Sequence, residues 1–291
     1  MHINMKYYIV TIGAIFIALG IGILVGFNLN YDQELGKQQA EIIKDLDTKF
    51  ESLKSKNDNL EKTLATVTTD YDKAIEFINQ NVDKVIVSEL QEKNIGIIST
   101  NDNNDYTKEI GETITKANGS LAFDIVLKNN IYNDTKLKEI SEKLNIEMKS
   151  EQDLINYIVE ALKGEDASDK LRYLQELGVL KVNALNSNYM NYDSVVLAGG
   201  NDPKTGKEQF EKIDKILISK LKEENKYMVG VQKSDAKFSN IELYAKDKIT
   251  TIDNINEGVG KLSLVISLKE GRTGENFGRL EGSDALIPYK K

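Results

Sequence analysis

From Ile9 to Leu29 the chain runs 21 residues without a charge. In an α-helix, at about 1.5 Å per residue, that length spans the hydrocarbon core of a bilayer. A helix buried in a soluble core could also hide such a stretch, and so could a cleavable signal peptide. The run is longer than an ordinary signal-peptide core, and no Ala-x-Ala-like site follows it, so the pattern predicts an uncleaved signal anchor. Its flanks set the direction. Lys6 precedes the span while Asp32 and Glu34 follow it, and basic residues are retained on the cytoplasmic side. Tyr7, Tyr8 and Tyr31 stand at the two edges, where amphipathic rings anchor at the interface. The expectation is a single-pass cell-membrane protein with a cytoplasmic amino terminus and an extracytoplasmic body. Its first partner is then the lipid bilayer.

The segment GAIFIALGIGILVG (13–26) carries four glycines, which weaken a helix in water. Ala14, Ala18, Gly22 and Gly26 recur at every fourth position and form one stripe of small side chains. In lipid such a stripe lets two backbones approach and pack. Glycine is also common in membrane helices generally, so the stripe alone leaves both readings open.

Beyond the span, apolar residues alternate at spacings of three and four. One heptad position reads Ile43, Phe50, Asn57, Leu64, Tyr71, Ile78, and three residues on, another reads Leu46, Leu53, Leu60, Val67, Ala74. Leucine at d with a single asparagine at a favours two parallel strands in fixed register. The expected dimer interface is therefore Ala14, Ala18, Gly22 and Gly26 in the membrane, then Ile43, Leu46, Phe50, Leu53, Asn57, Leu60, Leu64 and Val67 beyond it. An amphipathic helix folded back on its own globular domain would show the same spacing. A parallel homodimer satisfies both the stripe and the heptads.

From Asn94 the period changes. NIGIIST (94–100), LAFDIVL (121–127), YDSVVLAGG (192–200) and KYMVGVQ (226–232) read as buried strands, with helical patterns over 134–178 and 206–224. KITTIDNINEGVGKLSLVISLKEG (248–271) adds a short strand and a further helix. Alternating strands and helices predict a Rossmann-like α/β domain with a mostly parallel sheet. The expected division is a cytoplasmic end and anchor at 1–30, a coiled-coil stalk at 31–92 and an extracytoplasmic α/β domain at 93–291.

Ligands of such folds favour the carboxyl ends of the strands. Ser99, Thr100, Gly199, Gly200 and Asn201 lie at those ends, and Asp253 at a strand-to-helix junction, so these six form a candidate ligand crevice. A tight strand-to-helix turn would also use the glycines, and Asp253 would equally serve as the N-cap of the following helix. The full Gly-x-Gly-x-x-Gly fingerprint is absent, and Asp202 would repel a phosphate.

Residue chemistry narrows the function further. The chain has no cysteine and one histidine, His2, which removes thiolate catalysis, disulfides and the usual zinc sites. General acid–base work in the distal part would fall to carboxylates, lysine or tyrosine, and no catalytic constellation stands out. The expectation is a protein that is not an enzyme and calls for no cofactor. With a net charge of −8 and no basic stripe, nucleic acid is not an expected partner.

The N-terminal MKYYIVTIGAIFIALGIGILVG and the C-terminal KITTIDNINEGVGKLSLVISLKEGRTGENFGRLEGSDALIP resemble the two ends of the MctB-like proteins, and YDSVVLAGG resembles their strand-plus-glycine element. The likeness runs over essentially the whole chain and is weakest at about 130–190. It implies a membrane anchor leading into a coiled coil. It also implies one of two roles. The first is copper transport or homeostasis, from which the family takes its label. The second, shared with SteB-like members, is control of cell-wall hydrolysis and cell separation together with a SteA-like membrane partner. Copper needs soft sulfur or imidazole donors, and the five methionines (1, 5, 148, 190, 228) are scattered. The residues therefore favour an interaction scaffold, with copper transport as the alternative.

Overall fold

The computed structural model describes residues 5–100, 102–103, 105–129, 134–200 and 204–289, with the side chains of 29–33 and 134 outside that description. Two compact units result, Met1–Asp72 and Lys73–Lys291.

The first unit is helical throughout its described length and belongs to α1 (Met5–Val85). Within it, Met5–Asn28 is long and apolar enough to cross a membrane. The following heptads keep their side chains exposed: Ile43, Leu46, Phe50, Leu53, Leu60, Leu64 and Val67 are all between 59% and 68% accessible.

The second unit is built on seven strands in the order β3-β2-β1-β4-β5-β6-β7. These are β1 (Asn94–Ser99), β2 (Ser120–Leu127), β3 (Leu180–Leu185), β4 (Ser194–Ala198), β5 (Tyr227–Val231), β6 (Thr250–Ile252) and β7 (Asn276–Phe277). Every pairing is parallel except β2 with β3, so the mostly parallel α/β expectation holds, with one antiparallel edge. Central strands β1 and β4 are buried along their whole length, as near-continuous apolar runs require when helices cover both faces. Gly96 in β1 is there for space, because a Cβ would lie 2.2 Å from the ring of Phe123 on β2.

One face of the sheet packs against α3 (Asp134–Leu144), α4 (Glu151–Ala161), α5 (Ala167–Glu176), α6 (Gly206–Gln209), a π-turn at Phe210–Asp214, α7 (Lys215–Glu223) and α8 (Ile241–Lys246). The α4 start is fixed by Asp153, whose carboxylate accepts the backbone N–H groups of Lys149 (2.8 Å) and Ser150 (3.0 Å). The other face packs against α2 (Thr107–Lys116), α9 (Gly258–Glu270) and the end of α1 with the turn after it.

That last contact moves the boundary read from sequence. Residues 73–92, expected in the stalk, cluster with the distal unit, and Val82, Ile86 and Leu90 are buried in its core. Gly258 admits this packing: a Cβ there would fall 2.5 Å from the Cα of Asn79. The side chain of Asn79 in turn accepts the N–H of Val259 at 3.3 Å, occupying a free donor in the first turn of α9.

Candidate functional site

The strand order reverses between β1 and β4, because β2 lies to one side of this pair and β5 to the other. The connections that leave β1 and β4 diverge, to β2 on one side and β5 on the other, and such a divergence leaves a crevice at the carboxyl ends of the two strands. The structure brings four predicted residues together at this switch point, namely Ser99 at the end of β1, Thr100 directly after it, and Gly199 and Gly200 after β4. Thr100 N–H donates to Ala198 O (3.1 Å), and Gly199 N–H to Val231 O (2.9 Å). Gly200 has φ +87°, the left-handed region that favours glycine. Asn201, with Asn101 and Asp202, lies outside the described residues.

Side chains of the protein itself fill the inner part of this crevice. Asp214, at the end of the π-turn, is buried under the strand ends. Its Oδ1 accepts the hydroxyls of Tyr244 (2.5 Å) and Thr100 (2.9 Å) and the amide of Asn240 (3.3 Å). Tyr244 leans so close that a Cβ on Gly199 would sit 2.7 Å from its hydroxyl, which is the packing reason for glycine there. The hydroxyl of Tyr106 donates to the carbonyl of Gly199 (2.7 Å), with Val231 O also in reach at 3.0 Å. Desolvation pushes the Asp214 carboxyl up to about 6, against the opposing pull of its hydrogen bonds from Tyr244, Thr100 and Asn240. Burial and the neighbouring Asp214 drive the Tyr106 and Tyr244 hydroxyls well above their ordinary range.

Asp214, Tyr244, Asn240 and Tyr106 were not among the residues singled out in the sequence. Asp214 was detectable there: it shares a helix face with Phe210, Leu217, Ile218 and Leu221, where a carboxylate is out of place.

Asp253 does not join the crevice. Nor is it an N-cap, since Glu257 occupies that position for α9. Its Oδ2 accepts the backbone N–H groups of Arg279 (2.8 Å) and Leu280 (2.6 Å), so it fastens the C-terminal segment. The reason is local: Gly278, at φ +136°, brings the chain so near that a Cβ would fall 1.9 Å from Asp253 Oδ1. Burial raises the Asp253 carboxyl, and the two backbone donors pull it down in part.

The heptad residues line an exposed seam, and a Cβ on Gly22 or Gly26 would meet nothing within 4 Å. Asn57 donates to Glu61 Oε1 of its own helix at 2.9 Å.

A family model described as copper transport outer membrane protein, MctB, matches residues 2–288. The chain belongs to the MctB family. No curated protein matches it. Family and apolar helix together fit a membrane-anchored envelope protein.

The donor chemistry of this MctB-family chain can be set against copper as a cargo. Met148 and Met228 are packed in the core of the distal unit, while Met190 and Met5 are exposed on different elements. Cysteine is absent from the whole sequence, and His2 and Met1 lie outside the described residues. Among the described residues no group of three or more histidine, cysteine or acidic side chains is placed to hold an ion. The described residues bring no soft donors together into a copper site.

Proposed function

We propose that this MctB-family protein is a single-span, parallel homodimeric scaffold of the cell envelope, and not an enzyme. The observation that carries the reading is the exposed apolar seam of α1, seven large side chains at heptad spacing with nothing packed on them among the described residues. Roughly 1.5–3 kcal/mol is gained for each large apolar side chain taken fully out of water, so two such seams facing each other have ample drive to pair. Asn57 then meets its twin and fixes the register, and the small-residue stripe at Ala14, Ala18, Gly22 and Gly26 continues the pairing in the bilayer. The amino terminus stays in the cytoplasm, and the α/β domain faces outward to engage a partner. By resemblance to SteB-like members that partner is a SteA-like membrane protein, and the process is cell-wall remodelling or cell separation.

Copper transport, the family's printed description, is the second reading. The thioethers of the distal unit, with Met148 and Met228 buried and Met190 exposed apart from them, favour an indirect role in copper handling over direct carriage. Gene deletion in the native cell separates the two. The scaffold reading expects a separation defect with copper tolerance unchanged. It also expects that full-length chain carrying Leu53→Glu and Leu60→Glu fails to restore separation. Loss of copper tolerance with normal separation would overturn it.

A further inference from the structure

An acid in the middle of a buried strand needs an explanation, and β2 (SLAFDIVL) has one at Asp124. It pairs with Ile97 of β1 on one side and Ala184 of β3 on the other. Only 4% of it is exposed, and its Oδ1 receives no hydrogen bond. Asp124 lies in the wall of a groove of about 940 Å³ between α2 and the β2–β3 edge.

The neighbouring carboxylate is in a different state. Asp105 accepts the N–H (3.1 Å) and hydroxyl (2.8 Å) of Thr107 and the ammonium of Lys181 (3.2 Å). Burial pushes its carboxyl up, but these hydrogen bonds together with Asn183 more than reverse that, and it ends below its ordinary value. Lys181 thus neutralises one of the two carboxylates. For Asp124, desolvation dominates and lifts the carboxyl to about 6, against weaker help from Thr107 and Asn183. Near neutral pH it is a buried and incompletely neutralised anion, which a protein tolerates poorly unless something cationic reaches it.

The rest of the groove fits the body of such a cation. Leu121, Ala184 and Gly111 supply an apolar wall, and at Gly111 the helix passes close to the sheet. On the rim stand Lys108, which makes no ion pair among the described residues, Glu112, and Lys116, which is held by Asp83 of α1 at 2.6 Å. A ligand that satisfies all of these carries an ammonium for Asp124, an apolar residue for the wall and an anion for the lysine rim. The volume falls within the range of small-molecule sites and exceeds what a single amino acid fills.

We propose that this groove is a binding site for short peptides, which enter by their free amino terminus. The ammonium pairs with Asp124, the first side chain lies on Leu121, and the carboxylate end is met by Lys108. No part of this depends on whether the chain is dimeric.

The test is calorimetric titration of full-length protein in detergent micelles with the tripeptide Leu-Ala-Ala, its N-acetyl form, its C-terminal amide and free leucine. The proposal expects saturable 1:1 binding of the tripeptide, weakened at least about tenfold by N-acetylation and by Asp124→Asn. Free leucine should bind more weakly than the tripeptide. Lys108→Ala, a change on the rim that leaves the fold alone, should weaken the tripeptide while leaving the amide unaffected. Equal binding of the acetylated form, or no saturable binding to wild-type protein, would overturn the proposal. So would a Lys108→Ala effect of the same size on both forms.

Discussion

The buried carboxyl of Asp214 should make this protein less stable as pH rises through the mildly acidic range. Its ordinary value is 3.8, and burial raises it to about 6 in the folded chain. Between those values the native state holds a proton that the unfolded chain has already released. Stability therefore falls as pH climbs across this window, and the whole cost is in place above it. A shift of about two units corresponds to about 3 kcal/mol. Asn at this position keeps the shape and an oxygen to accept from Thr100 and Tyr244, but it cannot titrate. The assay is urea unfolding of full-length protein and of Asp214→Asn in micelles, at steps between pH 4 and pH 7, scored as the difference between their stability profiles. Most of that 3 kcal/mol should disappear from the variant's slope, while contributions from Asp124 and Asp253 remain in both. Parallel profiles for the two proteins would refute the reasoning, because the carboxyl would then have to be solvated or already ionised without penalty.

Two other substitutions test how the distal unit is held together. Gly258→Ala places a methyl against the backbone of Asn79, which cannot swing aside as a side chain would, and should cost about 1–3 kcal/mol. An unchanged urea midpoint would show that α1 does not pack on α9 as described. Asp253→Ala frees the N–H groups of Arg279 and Leu280, with an expected loss of about 2 kcal/mol. Tryptic cleavage after Arg279 should then be faster than in wild type, and an equal rate would remove the fastening role.

Much of the α/β domain was legible because buried parallel strands read as continuous apolar runs. NIGIIS and SVVLA cannot be anything solvent-facing, and both are fully buried. β3 escaped because LKVNAL is a half-exposed edge strand whose alternation is diluted by Lys181 and Asn183. β7, with two residues, and α8, with six, are too short to show a period. The boundary at Lys73 was hidden for another reason. Val82, Ile86 and Leu90 continue a helical spacing, and that spacing is the same whether the apolar face meets a second helix or the chain's own sheet. Half of the strand-end crevice was visible in Thr100 and the Gly199–Gly200 turn. Of its other half, Asp214, Asn240 and Tyr244 lie more than a hundred positions beyond Thr100 and only the sheet topology brings them close, while Tyr106 is near in sequence but reads as one more apolar residue of the α2 start. Asp253 was misplaced because its partners, Arg279 and Leu280, reach it through the turn at Gly278, which nothing near Asp253 in the sequence announces.

The pairing of α1 is the claim on which the scaffold reading stands, and the sequence suits a direct test because it contains no cysteine. Asn57→Cys and, separately, Ser55→Cys would be introduced into the full-length chain in native membranes, and both would be oxidised under mild conditions. Position 57 lies on the seam and position 55 on the opposite side of the helix. A parallel, in-register dimer predicts rapid disulfide-linked dimers from Asn57→Cys and almost none from Ser55→Cys. Equal cross-linking at the two positions, or none at 57, would contradict the account.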